Sequence, residues 1–234
     1  MGTLRNLIGI AFEIPPNLAN DMLVGGPKFL DTDRYNIVAK APSTGIGAPG
    51  RQGGQETAPP INVALMMLRS LLEERFKLVT HKENRPSTAY AFLPPKGELK
   101  LKKAEPTDRA GCRPDPGAIP ANTGGVPMNA ITCTNTTIEE LARNIPQWAG
   151  AYLDHPAVDT TGLQGGWNFT LYWTPRAALE TARPADAAGG GAALDPGGIT
   201  VFQAVEKQLG LKLEKGTHPV PVVVIDHIEQ KPID

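Results

Sequence analysis

TVFQAVEKQLGLKL (residues 200–213) and VPVVVID (220–226) carry the reading on which the fold turns. Thr200 with Gln203 fits the capping box, in which a hydroxyl and a side-chain acceptor satisfy two orphan amides at a helix start. The Lys212-Leu213 step reads as the helix exit, and the almost uninterrupted apolar run Val220–Ile225 reads as a strand covered on both faces. The same order occurs earlier in ALMMLRSLLEERFKLVTHKEN (64–84), which leaves through Lys77-Leu78, and TAYAFL (88–93). Working outward, each pair is preceded by a helix, a glycine pair and an alternating strand. These are LRNLIGIAF (4–12), Gly25-Gly26 and DRYNIVAKA (33–41) in one half, and IEELARNI (138–145), GLQGG (162–166) and GWNFTLYWT (166–174) in the other. Self-similarity at a spacing of about 130 to 140 residues predicts duplicated architecture before it predicts any activity.

Spacing supports the individual elements. Leu4, Leu7, Ile8, Ala11 and Phe12 follow one helical stripe, and Leu65, Leu68, Leu71, Leu72 and Phe76 follow another. Thr137 with Glu140 is a second capping box, and Pro146 is expected to end the helix it opens. Trp167, Phe169 and Leu171 alternate with Asn168, Thr170 and Tyr172, the period of a sheet with one wet face. Pro219 and Pro221 bias the start of the last strand toward a sheet edge. The expected fold is α+β: two tandem related units, each running helix, strand, helix, strand, with helices packed on one face of small, mostly antiparallel or mixed sheets. The first unit spans 1–103 and the second 137–234, joined by an irregular cysteine-containing linker over 104–136. Within the units, the Gly- and Pro-rich stretches 42–60 and 183–198 are expected to be mobile loops.

Composition bounds the function. With 23 Lys and Arg against 24 Asp and Glu, the chain has no whole-molecule field to attract nucleic acid or an anionic membrane. No apolar run approaches the roughly 20 residues of a membrane helix. The basic stretch Lys96–Lys103, with Leu99 and Leu101 interleaved, suits an edge strand that lysines keep from pairing with neighbours.

Catalytic motifs are sparse. G-x-S-x-G, H-E-x-x-H and C-x-x-C do not occur, and the glycine strings at 45–50 and 189–191 lack the context of a phosphate loop. The candidates for chemistry are His81, His155, His218 and Asp226-His227, which could serve as bases or ligands if packing brings a histidine to a carboxylate. Otherwise each is a surface or capping histidine. Asp154, Asp159 and Glu229 are candidate oxygen ligands for calcium or another divalent cation, although no contiguous acidic loop is present. For binding, Trp148, Tyr152 and Tyr172 are the aromatic candidates. Tyr172 is the better one, because it alternates away from the apolar face of its strand. A disulfide between Cys112 and Cys133 would restrict the unfolded chain by about 3 kcal/mol in the loop-entropy model; two unpaired thiols in a reducing compartment are the alternative.

The strings LIGIAF, GGPKFLDTDRYNIVAKA, LRSLLEERFKLVTHKENR, VDTTGLQGGWNFTLYW, FQAVEKQLGLKLEK and VVVIDHIEQKP resemble an uncharacterised, soil-associated family of Solibacter type, expanded in Acidobacteria. The resemblance covers nearly the whole chain. It implies an extracytoplasmic location, consistent with a Cys112–Cys133 bridge, and members usually carry an export signal and a further strand before the first helix, so a truncated form is expected. In element order the chain also resembles, more distantly, the short N-terminal modules of secretins and TonB-dependent receptors, which bind protein partners. The expected function, favoured because it needs no catalytic constellation, is an extracytoplasmic, non-catalytic module that binds a protein, a polymer or a small-molecule ligand through sheet edges and glycine-rich loops. The alternative is a secreted hydrolase of esters or lactones, including acyl homoserine lactones, using a His-carboxylate pair with or without a bound cation.

Overall fold

The computed structural model describes residues 2–37, 60–95, 97–105, 107–121, 126–182 and 198–233, and the protein it shows is α+β. The elements in chain order begin with β1 (Gly2–Thr3), α1 (Leu4–Ala11), α2 (Ala19–Met22), β2 (Leu23–Gly25), α3 (Phe29–Thr32), β3 (Arg34–Tyr35), α4 (Ile61–Phe76) and β4 (Val79–Leu93). There follow β5 (Lys102–Lys103), β6 (Gly111–Pro114), β7 (Asn129–Thr136), α5 (Ile138–Trp148), β8 (Ala157–Asp159), β9 (Trp167–Trp173), α6 (Arg176–Ala182), α7 (Val201–Ala204) and β10 (Lys212–His227). A π-helical turn, Val205–Leu209, continues α7.

Two compact units result, one of residues 1–84 with 221–234 and one of 85–220. This division departs from the expected boundaries at 103 and 137, because both β4 and β10 pass from one unit into the other. In the first unit β1 pairs antiparallel with β3, and the end of β10 pairs parallel with β2, Val223 facing Leu23. In the second unit β7 pairs antiparallel with β9, and the end of β4 pairs parallel with β8, Tyr90 facing Ala157. The second unit also holds the sheet ordered β5-β9-β7-β6.

Each unit has its own core. In the first, Leu4, Ile8 and Ala11 of α1 meet Leu72 and Phe76 of α4 together with Val223 and Ile225 of β10. In the second, Ile138, Leu141 and Ile145 of α5 and Val201, Val205 and Leu209 pack with Ile131, Phe169, Leu171 and Trp173. Helix starts follow the hydroxyls in the sequence. The Thr3 side chain accepts from the amide of Asn6, and both expected capping boxes, Thr137 with Glu140 and Thr200 with Gln203, are formed.

Several expectations are corrected. Residues 104–136 are no irregular linker: β6 and β7 occupy part of it, because Ile131 and Cys133 alternate with Thr132 and Thr134 as a half-buried strand requires. Pro146 lies inside α5 and does not end it; lacking an amide hydrogen, it forfeits one backbone hydrogen bond near the end of the helix, and the ring is buried. The second helix leaves at Gly210, in the left-handed region at φ 74°, and Lys212 already belongs to β10. That strand also runs through Pro219 and Pro221, which two-residue spacing places on one side of the backbone, so both missing donors fall on the same edge. The expected strand 33–41 is formed at Arg34–Tyr35, while residues 38–41 lie outside the described residues. The loops 42–60 and 183–198 lie outside them too, apart from Pro60 and Gly198. Lys102–Lys103 forms the edge strand β5, paired among the described residues with β9 alone.

Candidate functional site

The second unit's β5-β9-β7-β6 sheet has one face on the core and one turned away from it. Ile131, Cys133, Phe169, Leu171 and Trp173 are buried, so by the two-residue period Ala130, Thr132, Thr134, Asn168, Thr170 and Tyr172 belong to the opposite face, where Ala130, directly opposite Tyr172, is buried as well and the others are half-buried. Register extends this face across all four strands, since Lys102 is opposite Asn168, Thr170 opposite Thr132, and Thr132 opposite Arg113. Lys102 and Arg113 are exposed, and neither has an ion-pair partner among the described residues.

Hydrogen bonds fix the polar groups of this face. Thr132 donates to Asp115 Oδ2 at 2.7 Å and stands 3.1 Å from the Thr170 hydroxyl. With the Thr132 proton committed to the carboxylate, Thr170 must be the donor to Thr132, which leaves the Thr170 oxygen as an acceptor. Asn168 donates to Asp108 Oδ2 and accepts from the amide of Asn135. The Gln208 side chain receives the Tyr172 amide at 2.9 Å and donates to its carbonyl at 2.8 Å, which seals that edge of β9 and fixes the backbone that carries the ring. At the β6 edge, Cys112 and Cys133 are directly opposite and joined by a disulfide, so the outer strand is covalently stapled to its neighbour.

The expected catalytic residues divide between the units. In the first, His81 Nδ1 lies 2.8 and 2.9 Å from the two Asp226 oxygens, its Nε2 is 3.7 Å from Glu83, and His227 Nε2 is 3.1 Å from Glu229. The hydrogen bond that His81 donates to Asp226 holds the His81 pKa above its ordinary value, with half of the imidazole surface still in water. In the second unit His155 lies 3.7 Å from Asp154, while His218 is half-buried in β10 with no hydrogen bond or ion pair among the described residues. Three of the four histidines thus form separate carboxylate pairs, of which His81–Asp226 has the geometry to orient an imidazole.

The expected cation ligands are not gathered. Asp154 accepts from the Tyr90 hydroxyl at 2.8 Å and from Lys215 at 3.1 Å, Asp159 accepts from the amide and hydroxyl of Thr161, and Glu229 belongs to the other unit. No group of three or more potential metal ligands is clustered among the described residues. Burial first, and then the bond to Asp154, push the Tyr90 phenol up to about 12, whereas Tyr90 and Lys215 hold the Asp154 carboxyl low. Of the aromatic candidates, Trp148 and Tyr152 are partly buried and pack against the core, and the Tyr152 hydroxyl donates to Thr174 O at 2.7 Å. Tyr172 alone of the three lies on the open face. Lys102, Arg113, Thr132, Asn168 and Thr170 escaped sequence reasoning. The alternation of β9 was legible, but its partners depend on strands that 104–136 conceals among nine prolines and glycines from Pro106 to Pro127.

Among the described residues no helix is long and apolar enough to cross a membrane. Over residues 5–228 the chain matches the family described as "Protein of unknown function (DUF3738)". No curated protein and no solved structure matches it.

Proposed function

This chain belongs to the DUF3738 family, and we propose that it is an extracytoplasmic, non-catalytic binding module that takes its ligand on the open sheet face of the second unit. The observation that carries this reading is the face itself, where Tyr172, fixed through Gln208, stands with oriented hydroxyls and the cations Lys102 and Arg113 on one four-stranded platform. Supporting the location, the Cys112–Cys133 bond is of a kind that persists in oxidising compartments.

A second reading, a secreted esterase or lactonase, is favoured by the His81–Asp226 pair, in which the carboxylate could orient the imidazole as a base toward water. One experiment separates the two. Purified protein is assayed against p-nitrophenyl esters and acyl homoserine lactones beside His81→Ala. The binding reading expects the same background rate from both proteins. Turnover that falls tenfold or more in His81→Ala would establish the hydrolase and end the non-catalytic assignment.

A further inference from the structure

We propose that the ligand of the open face is an uncharged polysaccharide strand, an assignment that deepens the binding-module reading and rests on it. Charge decides first. The cations Lys102 and Arg113 share the face with the carboxylates Asp108 and Asp115, which bond Asn168 and Thr132, so the surface is balanced in sign. Lys102 and Arg113 also stand on opposite edge strands, three interstrand steps across and two residues along the strands from one another, or about 16 Å apart. A single-stranded polyphosphate, with a charge about every 3.4 Å in the spacing of a nucleic acid strand, requires a denser row of cations than that.

The chemistry of the side chains decides between a glycan and a protein. Protein interfaces centre on large apolar and aromatic anchors, and this face offers one, Tyr172, among hydroxyls, an amide, carboxylates and a guanidinium. A sugar presents the complement of that set: vicinal hydroxyls that both donate and accept, and an apolar C–H face. The Thr170 oxygen is left as an acceptor by its donation to Thr132, while the Arg113 guanidinium offers paired donors to adjacent hydroxyls. The Tyr172 ring supplies an amphipathic surface for a pyranose, and its hydroxyl has no partner among the described residues. Four strands side by side give a platform of about 14 Å, long enough for a polymer segment rather than one small sugar.

Affinity gel electrophoresis tests this with hydroxyethyl cellulose, laminarin and galactomannan as neutral probes, and polygalacturonate as the charged one. The expected result is retardation by at least one neutral polymer, changing less than twofold between 50 and 500 mM NaCl. Tyr172→Ala should weaken it tenfold or more and Thr170→Val about threefold, with circular dichroism confirming that both variants are folded. Retardation by polygalacturonate alone, a steep salt dependence, no neutral polymer bound, or wild-type retardation by both variants overturns the glycan assignment. Those outcomes leave the binding-module reading standing, whereas His81-dependent turnover in the hydrolysis assay removes that reading whatever the gels show.

Discussion

The two units share an order of parts and differ in how well it is buried. Each has a threonine-capped helix, an antiparallel strand pair, a second helix closed by a residue in the left-handed region, a leucine after it, and a long strand. In the second unit β7 and β9 are eight and seven residues long, and Val201, Ala204, Val205 and Leu209 lie fully buried. In the first, β1 and β3 are two residues each, and of sixteen residues in α4 only Leu72 and Phe76 are buried. Ile61 is 76% exposed and Met66 64%. An apolar stripe specifies a helix, but burying that stripe takes a sheet as long as the helix. The difference in stability between the units should accordingly lie in the strands.

The largest effect that could break this comparison is in the helices themselves. Leu209→Ala should cost about 2–5 kcal/mol, the usual range for truncating a fully buried leucine, whereas Met66→Ala should stay within about 0.5 kcal/mol, as for other exposed sites. Urea denaturation of both variants measures this. An equal loss at the two positions would mean that α4 is as well covered as its counterpart.

A smaller effect separates the two helix exits. Gly210 adopts φ 74°, and a Cβ there would run into the carbonyl oxygen of Glu98, so Gly210→Ala adds a backbone clash to the left-handed penalty of about 1–2 kcal/mol. Lys77 occupies the same position in the first unit at φ 51° without glycine's freedom. Lys77→Gly should therefore stabilise by up to about 1 kcal/mol. Opposite signs at the two exits would sharpen the comparison; a loss at both would show that the Lys77 side chain contributes more than its backbone costs.

These contrasts also explain how much the sequence reveals. Caps and stripes were legible because they are local: Thr137 and Glu140 lie three residues apart, and so do Thr200 and Gln203. The α+β class followed from them. What stayed hidden was pairing across distance. Nothing near Leu23 announces Val223 as its partner, and nothing near Tyr90 announces Ala157, so the passage of β4 and β10 between units was not readable. The candidate face failed for a related reason, since Tyr172 could be read from the period of its own strand, but Arg113 and Thr132 join it only through the β6-β7-β9 register. The His81–Asp226 pair, 145 residues apart in sequence, could be named as ingredients but not as a pair.

The smallest effect is electrostatic, and its sign differs between the units. The His81 pKa is raised in the folded state, chiefly by Asp226, so its contribution is fully present below the unfolded value of about 6.5 and is lost as pH rises through the raised value. The Asp154 pKa is lowered, chiefly by Tyr90 and then Lys215, so its contribution is present above about 3.9 and is lost as pH falls through the lowered value. Both side chains are largely exposed, and water and salt therefore screen both effects. Hydrogen exchange can resolve them, because peptides containing Val24 report the first unit and peptides containing Val158 the second. Raising pH from 6 to 8 should lower protection around Val24, corrected for the intrinsic rate, and His81→Gln should abolish that change. Lowering pH from 5 toward 2 should lower protection around Val158, and Asp154→Asn should reduce the change. If the His81→Gln profile near Val24 matched the wild type between pH 6 and 8, the His81–Asp226 pair would be a surface contact that leaves the first unit's stability untouched.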